Sequence, residues 1–297
     1  MIALQHDGLS RPVENPRLRI LSLGAGVQSS TLALMAAEGE LGDPPDAAIF
    51  ADTQREPDGV YRWLEWLEPR LPFPVHRVTR GDLGAEIFDA AKGKRGRLFR
   101  IPAFVEGEDG RAAPIRRTCT DKYKIMQIDA KVRKLLGLKH GEAVRNFLGL
   151  KRGQPVPAIV EQWIGISTDE LERIRVSRVP WQYLRYPLIE ARMSRRDCLR
   201  WLEVRGYPQP AKSACTFCPW HDNAAWRDLR DNDPAGWAEA VEVDRCIRAD
   251  GLHFGMRSPA FLHRDLVPLD EVDLTAPEND ALGLAGFRNE CSGSCGV

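Results

Sequence analysis

Short apolar runs alternate along most of the chain with longer segments of helical composition. Residues 18–23 (Leu-Arg-Ile-Leu-Ser-Leu) form one such run, glycines end it, and 29–38 has the composition of a helix. The predicted order is strand, glycine turn, helix. Residues 46–51 read as a second strand, 57–70 as a helix opening on proline, and 75–79 as a third strand. Alternation of this kind builds an α/β fold, a twisted parallel sheet with helices on both faces.

The pattern changes between 97 and 117. An extended segment, a Gly-Glu-Asp-Gly turn at 107–110 and a second extended segment predict a hairpin insertion over about 95–118. Beyond it, 120–136 reads as helix, 160–167 as strand, and 194–205 as a helix capped by Ser194. Residues 223–229 and 234–249 are helical and tryptophan-rich. The last fifty residues have no clear period and are expected to wrap the surface, with 291–297 able to fold back.

Forty-two basic and forty-two acidic side chains cancel, so overall charge gives no case for a nucleic-acid partner. Local charge does. Lys92, Lys94, Arg95, Arg97 and Arg100 follow one another without an acid, and Arg111, Arg116, Arg117, Lys122 and Lys124 come soon after. The stretch 92–124 can hold the phosphates of a nucleotide or of a nucleic-acid acceptor, or it can simply face water. No apolar run reaches the length of a membrane span, and the N-terminus lacks the layout of a signal peptide. A cytoplasmic location with reduced thiols and no membrane partner is expected.

The glycine turn is a candidate anion site. Gly24, Gly26, Gln28, Ser29 and Ser30 lie between a strand ending at Ser22 and Leu23 and a helix, where backbone N–H groups and the positive helix end converge. The spacing is neither a Walker A sequence nor the dinucleotide fingerprint, and such turns also serve helix packing alone. Asp52 and Thr53 end the second strand, where an aspartate can reach a ribose or a phosphate-bound metal, or can cap the next helix. Gly165 opens a similar strand-to-helix junction at 165–170.

Cysteines add a second chemistry. Cys215 and Cys218 form a C-x-x-C turn, Cys119 stands upstream, and Cys291 and Cys295 close the chain. Thiolates at this spacing ligate zinc or an iron–sulfur cluster, act as a dithiol redox pair, or pack as small apolar residues. The extra cysteines favour the metal or cluster. Cys198 and Cys246 sit in amphipathic stretches and read as core.

The ordered series of these segments resembles the PP-loop ATP pyrophosphatase superfamily, most closely its phosphoadenosine phosphosulfate reductase-like branch. The family turn Ser-Gly-Gly-x-Asp-Ser is matched at Gly26 and Ser29, while Gly24, Ala25 and Gln28 depart from it. Asp52, Thr53 and Glu56 resemble the family's Asp-Thr-Gly and following Glu. Residues 119–125, Cys-Thr-Asp-Lys-Tyr-Lys-Ile, resemble Cys-Cys-x-x-Arg-Lys-Val, with Thr120 in place of the second cysteine. Gly165 to Glu170 with Arg173, and the Tyr186-Pro187-Leu188 stretch, continue the match to about residue 222.

The resemblance implies an adenine nucleotide alpha-hydrolase-like domain over 18–210 that binds ATP or another adenine nucleotide with Mg²⁺, and a cysteine-bearing region over 211–297 packed on it. It implies a four-iron four-sulfur cluster on Cys119, Cys215 and Cys218, with the fourth iron open or taken by Cys291 or Cys295; zinc is the alternative. Two activities compete. One is ATP-dependent sulfur transfer to a nucleic acid or nucleotide, with Asp52 and Cys295 as catalytic candidates and a sulfur donor or reductant protein as partner. The other is sulfonucleotide reduction with release of sulfite. A zinc-stabilised nucleic-acid-binding protein without catalysis is a third reading.

Overall fold

The computed structural model describes residues 13–92, 103–115, 118–249 and 258–275. The chain begins with β1 (Leu18–Ser22), α1 (Val27–Ala37), β2 (Ala47–Asp52), α2 (Asp58–Leu67) and β3 (Val75–Thr79). α3 (Leu83–Ala91) follows, then an antiparallel hairpin of β4 (Phe104–Glu106) and β5 (Ala112–Pro114). A π-helical turn (Thr120–Ile125) runs into α4 (Met126–Leu135), and α5 (Val144–Phe147) leads to β6 (Val160–Ile164). After β7 (Gln182–Arg185) come α6 (Pro187–Glu190), α7 (Arg195–Val204), α8 (Asn223–Asn232) and α9 (Pro234–Ala249).

The five main strands form one parallel sheet in the order β3-β2-β1-β6-β7, the predicted α/β fold. Its strands are apolar throughout because both faces are covered. On one face Leu21, Leu23, Ala48, Phe50 and Trp163 pack with α1, α2 and α7. On the other, Ile20, Ala47, Ile49, Ala51 and Val160 meet Ile128 and Val132 of α4. A further core joins α3, the hairpin and the C-terminal helices through Leu83, Ile87, Ala103, Trp226, Val243 and Leu262. Phe104 and Phe261 exchange backbone hydrogen bonds of 2.8 Å, which pins the hairpin to the chain beyond α9.

The Ser194 cap is present as a full capping box with Asp197. Two elements have no counterpart in the sequence reading. β7 is only four residues long, too short to show a period. α3 carries Gly84 in its first turn, which lowers helix propensity there, but Asp82 caps it by accepting the Ala85 N–H at 2.9 Å. The predicted helix over 120–136 starts as a π turn, a feature that widens a helix locally and recurs at functional sites. Cys198 is fully buried as expected, but Cys246 is not core. It lies half-exposed on α9, with Glu242 on the preceding turn. Among the described residues no helix is long and apolar enough to cross a membrane.

Gly165 sets the closest approach in the fold. A Cβ there would lie 2.8 Å from Ser29 Cα and 2.9 Å from Ser29 N, both backbone atoms that cannot swing aside. Gly165→Ala is expected to lower stability by about 1–3 kcal/mol, the ordinary cost of overpacking. Urea denaturation measures this, and an unchanged midpoint would show that β6 and α1 do not meet so tightly.

Candidate functional site

The chain leaves β1 toward β2 and leaves β6 toward β7, in opposite directions across the sheet. Ligands of open parallel sheets bind beyond the strand carboxyl ends at such a switch point. The glycine turn after β1 and the 165–170 junction after β6 meet here.

The turn is buried and closed by its own side chains. Ala25 takes a left-handed backbone conformation (φ 62°), and extended Gly26 is the N-cap of α1. Ser29 Oγ accepts the Gly24 N–H at 3.1 Å and lies 3.4 Å from the Gly26 carbonyl. Ser30 Oγ accepts the Trp63 indole N–H at 2.8 Å and so ties α2 to α1. Gln28 turns away toward the β6 junction. Its Nε2 donates to Glu170 at 3.0 Å and to Ser167 at 3.4 Å, while its Oε1 is buried without a hydrogen-bond partner. Burial raises the Glu170 carboxyl above its ordinary range, and Arg173 beside it opposes the rise. At the foot of the turn, Ser22 Oγ accepts from Gln162 at 2.5 Å.

β2 ends beside this turn. Asp52 does not cap α2; its Oδ1 accepts the Gln54 N–H at 2.7 Å and the Tyr61 hydroxyl at 3.0 Å. Thr53 Oγ1 lies 3.1 Å from Cys215 Sγ. Glu56, buried, accepts from Lys124 Nζ at 3.2 Å and from Ser213 Oγ at 3.3 Å. Arg55 pairs with Asp82 and Glu239, and its carbonyl accepts the Thr216 N–H at 2.8 Å. Four successive residues thus reach four parts of the chain.

The cysteine turn rests on this loop. The Cys218 N–H donates to the Cys215 carbonyl at 2.9 Å, and the His221 N–H to the Cys218 carbonyl at 3.1 Å. His221 is buried, and burial pushes its pKa down to about 3, so the ring is neutral and donates from Nε2 to the Cys215 carbonyl at 3.0 Å. Burial, followed by the nearby Glu56 carboxylate, pushes the Cys215 thiol up. Without a ligand it holds its proton.

Cys119 starts the π turn one i→i+5 step before Lys124, and Cys119 and Cys215 pack against the same core. Among the described residues no three His, Cys, Asp or Glu side chains converge as a site for a metal ion. That counts against a closed zinc site made from Cys119, Cys215 and Cys218 alone. Their donor chemistry, three thiols on one side of the fold, is what a cluster takes, and a cubane spaces its ligand sulfurs more widely than a single ion does. Cys291 and Cys295 lie outside the described residues, as do Lys94, Arg95, Arg97, Arg100, Arg116 and Arg117 of the basic stretch.

Lys124 corrects the reading of that stretch as a solvent-facing run, because it is buried against Glu56. Ser213, Asp82 and Glu239 complete the loop's contacts and were not legible in sequence; each joins it from 27 to 184 residues away, with no local spacing to mark it. No protein-family model matches this chain, and no curated protein matches it in sequence.

The Glu56–Lys124 pair gives a direct test of the site's electrostatics. Glu56→Gln and Lys124→Met should each cost about 3–5 kcal/mol, since each leaves one charge buried and unpaired, and the double variant should regain much of that loss. Guanidinium unfolding of the four proteins measures it. Single-variant losses below about 1 kcal/mol, the range of exposed pairs, would show that the site is open to water.

Proposed function

We propose that this chain is a PP-loop-type enzyme that binds an adenine nucleotide at the β1 turn and carries out ATP-dependent sulfur transfer to a nucleic acid or nucleotide. The observation that carries this reading is the 3.1 Å approach of Thr53 Oγ1 and Cys215 Sγ, which sets the cysteine turn on the strand end beside the glycine turn. A nucleotide site and a thiol site then share one wall.

In this reading the N–H groups of residues 24–30 and the N-terminus of α1 receive the phosphates, with Mg²⁺ offsetting their charge. Ser29 exchanges its bond to the Gly24 N–H for one to a phosphate oxygen. Asp52, already fixed by Tyr61, faces the ribose or the Mg²⁺ ion. A nucleobase carbonyl oxygen attacks the α-phosphorus, an O–P bond forms, and pyrophosphate leaves with the electrons of the broken P–O bond. A sulfide-level sulfur from a donor protein then attacks the activated carbon, a C–S bond forms, and AMP departs with the oxygen. Adenylylation is needed because oxygen on an amide-like carbon is a poor leaving group.

Cys119, Cys215 and Cys218, with Cys291 as the fourth ligand, would hold a four-iron four-sulfur cluster, which when bound supplies an anchoring point for sulfide. Ligation requires Cys215 to lose its proton, and Lys124 is the nearby cation that favours the thiolate. Cys295 is the tail thiol left to relay sulfur.

Anaerobic purification with iron, sulfide and zinc counts tests the thiol half of this reading. The expected protein is brown, holds iron and sulfide, and loses both in Cys218→Ser. Pyrophosphate release from ATP that depends on added nucleic acid tests the other half, with Asp52→Ala expected to slow it at least about tenfold. A colourless protein with one zinc and no pyrophosphate release would replace this reading with a zinc-stabilised binding protein. Sulfite release from adenylyl sulfate would replace it with a reductase.

A further inference from the structure

A cleft opens on the α4 face of the sheet, between α4 and the segment that leads into β7. It holds about 540 Å³ of empty space, its open mouth included, within the roughly 300–1,000 Å³ of small-molecule sites. Ile128 of α4 lines one side, and Val179 and Leu184 line the other, so the walls are apolar. The floor is not.

Gln162 and Gln182, both buried, face each other across β6 and β7. Ser177 Oγ donates to Gln182 Oε1 at 3.3 Å, Gln182 Nε2 donates to Gln162 Oε1, and Gln162 Nε2 donates to Ser22 Oγ at 2.5 Å. A side-chain amide offers two N–H donors and two carbonyl lone pairs. Gln162 spends one of each on this row, which leaves one donor and one acceptor side by side at the cleft floor. A buried amide with unspent capacity of both kinds matches the paired donor and acceptor on the edge of a nucleobase, as glutamine matches adenine in direct readout. Arg175 and Arg178 lie at the same cleft, Arg178 more than half exposed and 3.3 Å from Asp121, with Val176 exposed beside them.

We propose that this cleft binds a nucleobase of the acceptor, its edge on Gln162 and Gln182 and the phosphates of its chain on Arg175 and Arg178. The proposal rests on the sulfur-transfer reading and names the substrate class for that same enzyme. The cleft is distinct from the nucleotide turn. Gln162 lies mid-strand and Gln182 at the start of β7, below the carboxyl edge where the turn sits. The amide row nevertheless ends on Ser22, the last residue before the turn, so the two ligands occupy opposite ends of one hydrogen-bonded row. Burial raises the Asp129 carboxyl at the cleft wall, which weakens its repulsion of an incoming phosphate.

Calorimetry decides it. The protein is saturated with the non-hydrolysable ATP analogue AMPPNP and titrated with AMP, GMP, CMP and UMP in turn. The wild type should bind at least one of them. Val176→Trp, an exposed position whose bulk overhangs the mouth, and Gln182→Leu, which removes half the amide floor, should each weaken that binding at least about tenfold. AMPPNP affinity should stay within about twofold in both, and thermal unfolding confirms that both variants fold. Monophosphate binding that is absent in the wild type, or unchanged in both variants, overturns the proposal. So does a loss of AMPPNP affinity equal to the loss for the monophosphate, which would make the cleft the adenine site. Failure of the wild type to bind AMPPNP would remove the sulfur-transfer reading instead, and the same titration without AMPPNP would still decide the cleft.

Discussion

The buried ion pair between Glu56 and Lys124 is the constraint on which the site's geometry depends. Each charge has left water at a cost of several kcal/mol, and their attraction offsets it only while the geometry is kept. The pair therefore behaves as a clamp more than as a source of stability. It holds the π turn carrying Cys119 against the loop after β2, and the same loop holds Cys215 through Thr53 and the α9 side chain Glu239 through Arg55. Moving any one of these contacts would leave another polar group buried without its partner.

That clamp explains how a cysteine turn far along the chain finds the first strands. The sheet core and the C-terminal core bury separate sets of residues. Apolar packing alone would let one slide on the other, because hydrophobic contact is non-directional. Directed bonds from Arg55 and Glu56 remove that freedom. Gly84 belongs to the same arrangement, since a Cβ there would lie 2.6 Å from Arg55 Nε and push the guanidinium off Asp82 and Glu239.

The parallel sheet was legible because strands covered on both faces read as continuous apolar runs, and 75–79 was bounded to the residue. Pro57 and Ser194 marked helix starts through local chemistry that needs no tertiary context. α3 and β7 escaped because one starts with a helix-weakening glycine and the other is too short for a period. At the site, Gly165 was legible as a turn residue, but its reason, contact with Ser29, is tertiary. Lys124 failed for the same cause. A lysine within a basic run reads as solvated, and only a carboxylate 68 residues away makes it a buried one.

Two non-glycine residues in left-handed conformation, Ala25 (φ 62°) and Gln54 (φ 61°), sit just past the ends of β1 and β2. Each conformation costs on the order of 1–2 kcal/mol for a residue with a Cβ, and it persists only where the surroundings over-determine the backbone. Gly24 N–H bound to Ser29 fixes the first, and the Asp52 carboxylate bound to the Gln54 N–H fixes the second. Strain held at adjacent strand ends of a switch point leaves the loops little freedom to rearrange. A ligand binding there loses little to ordering the protein, so more of its contact energy remains as affinity. The same rigidity keeps Ser22, and with it the amide row beneath the turn, at a fixed distance from whatever the turn holds.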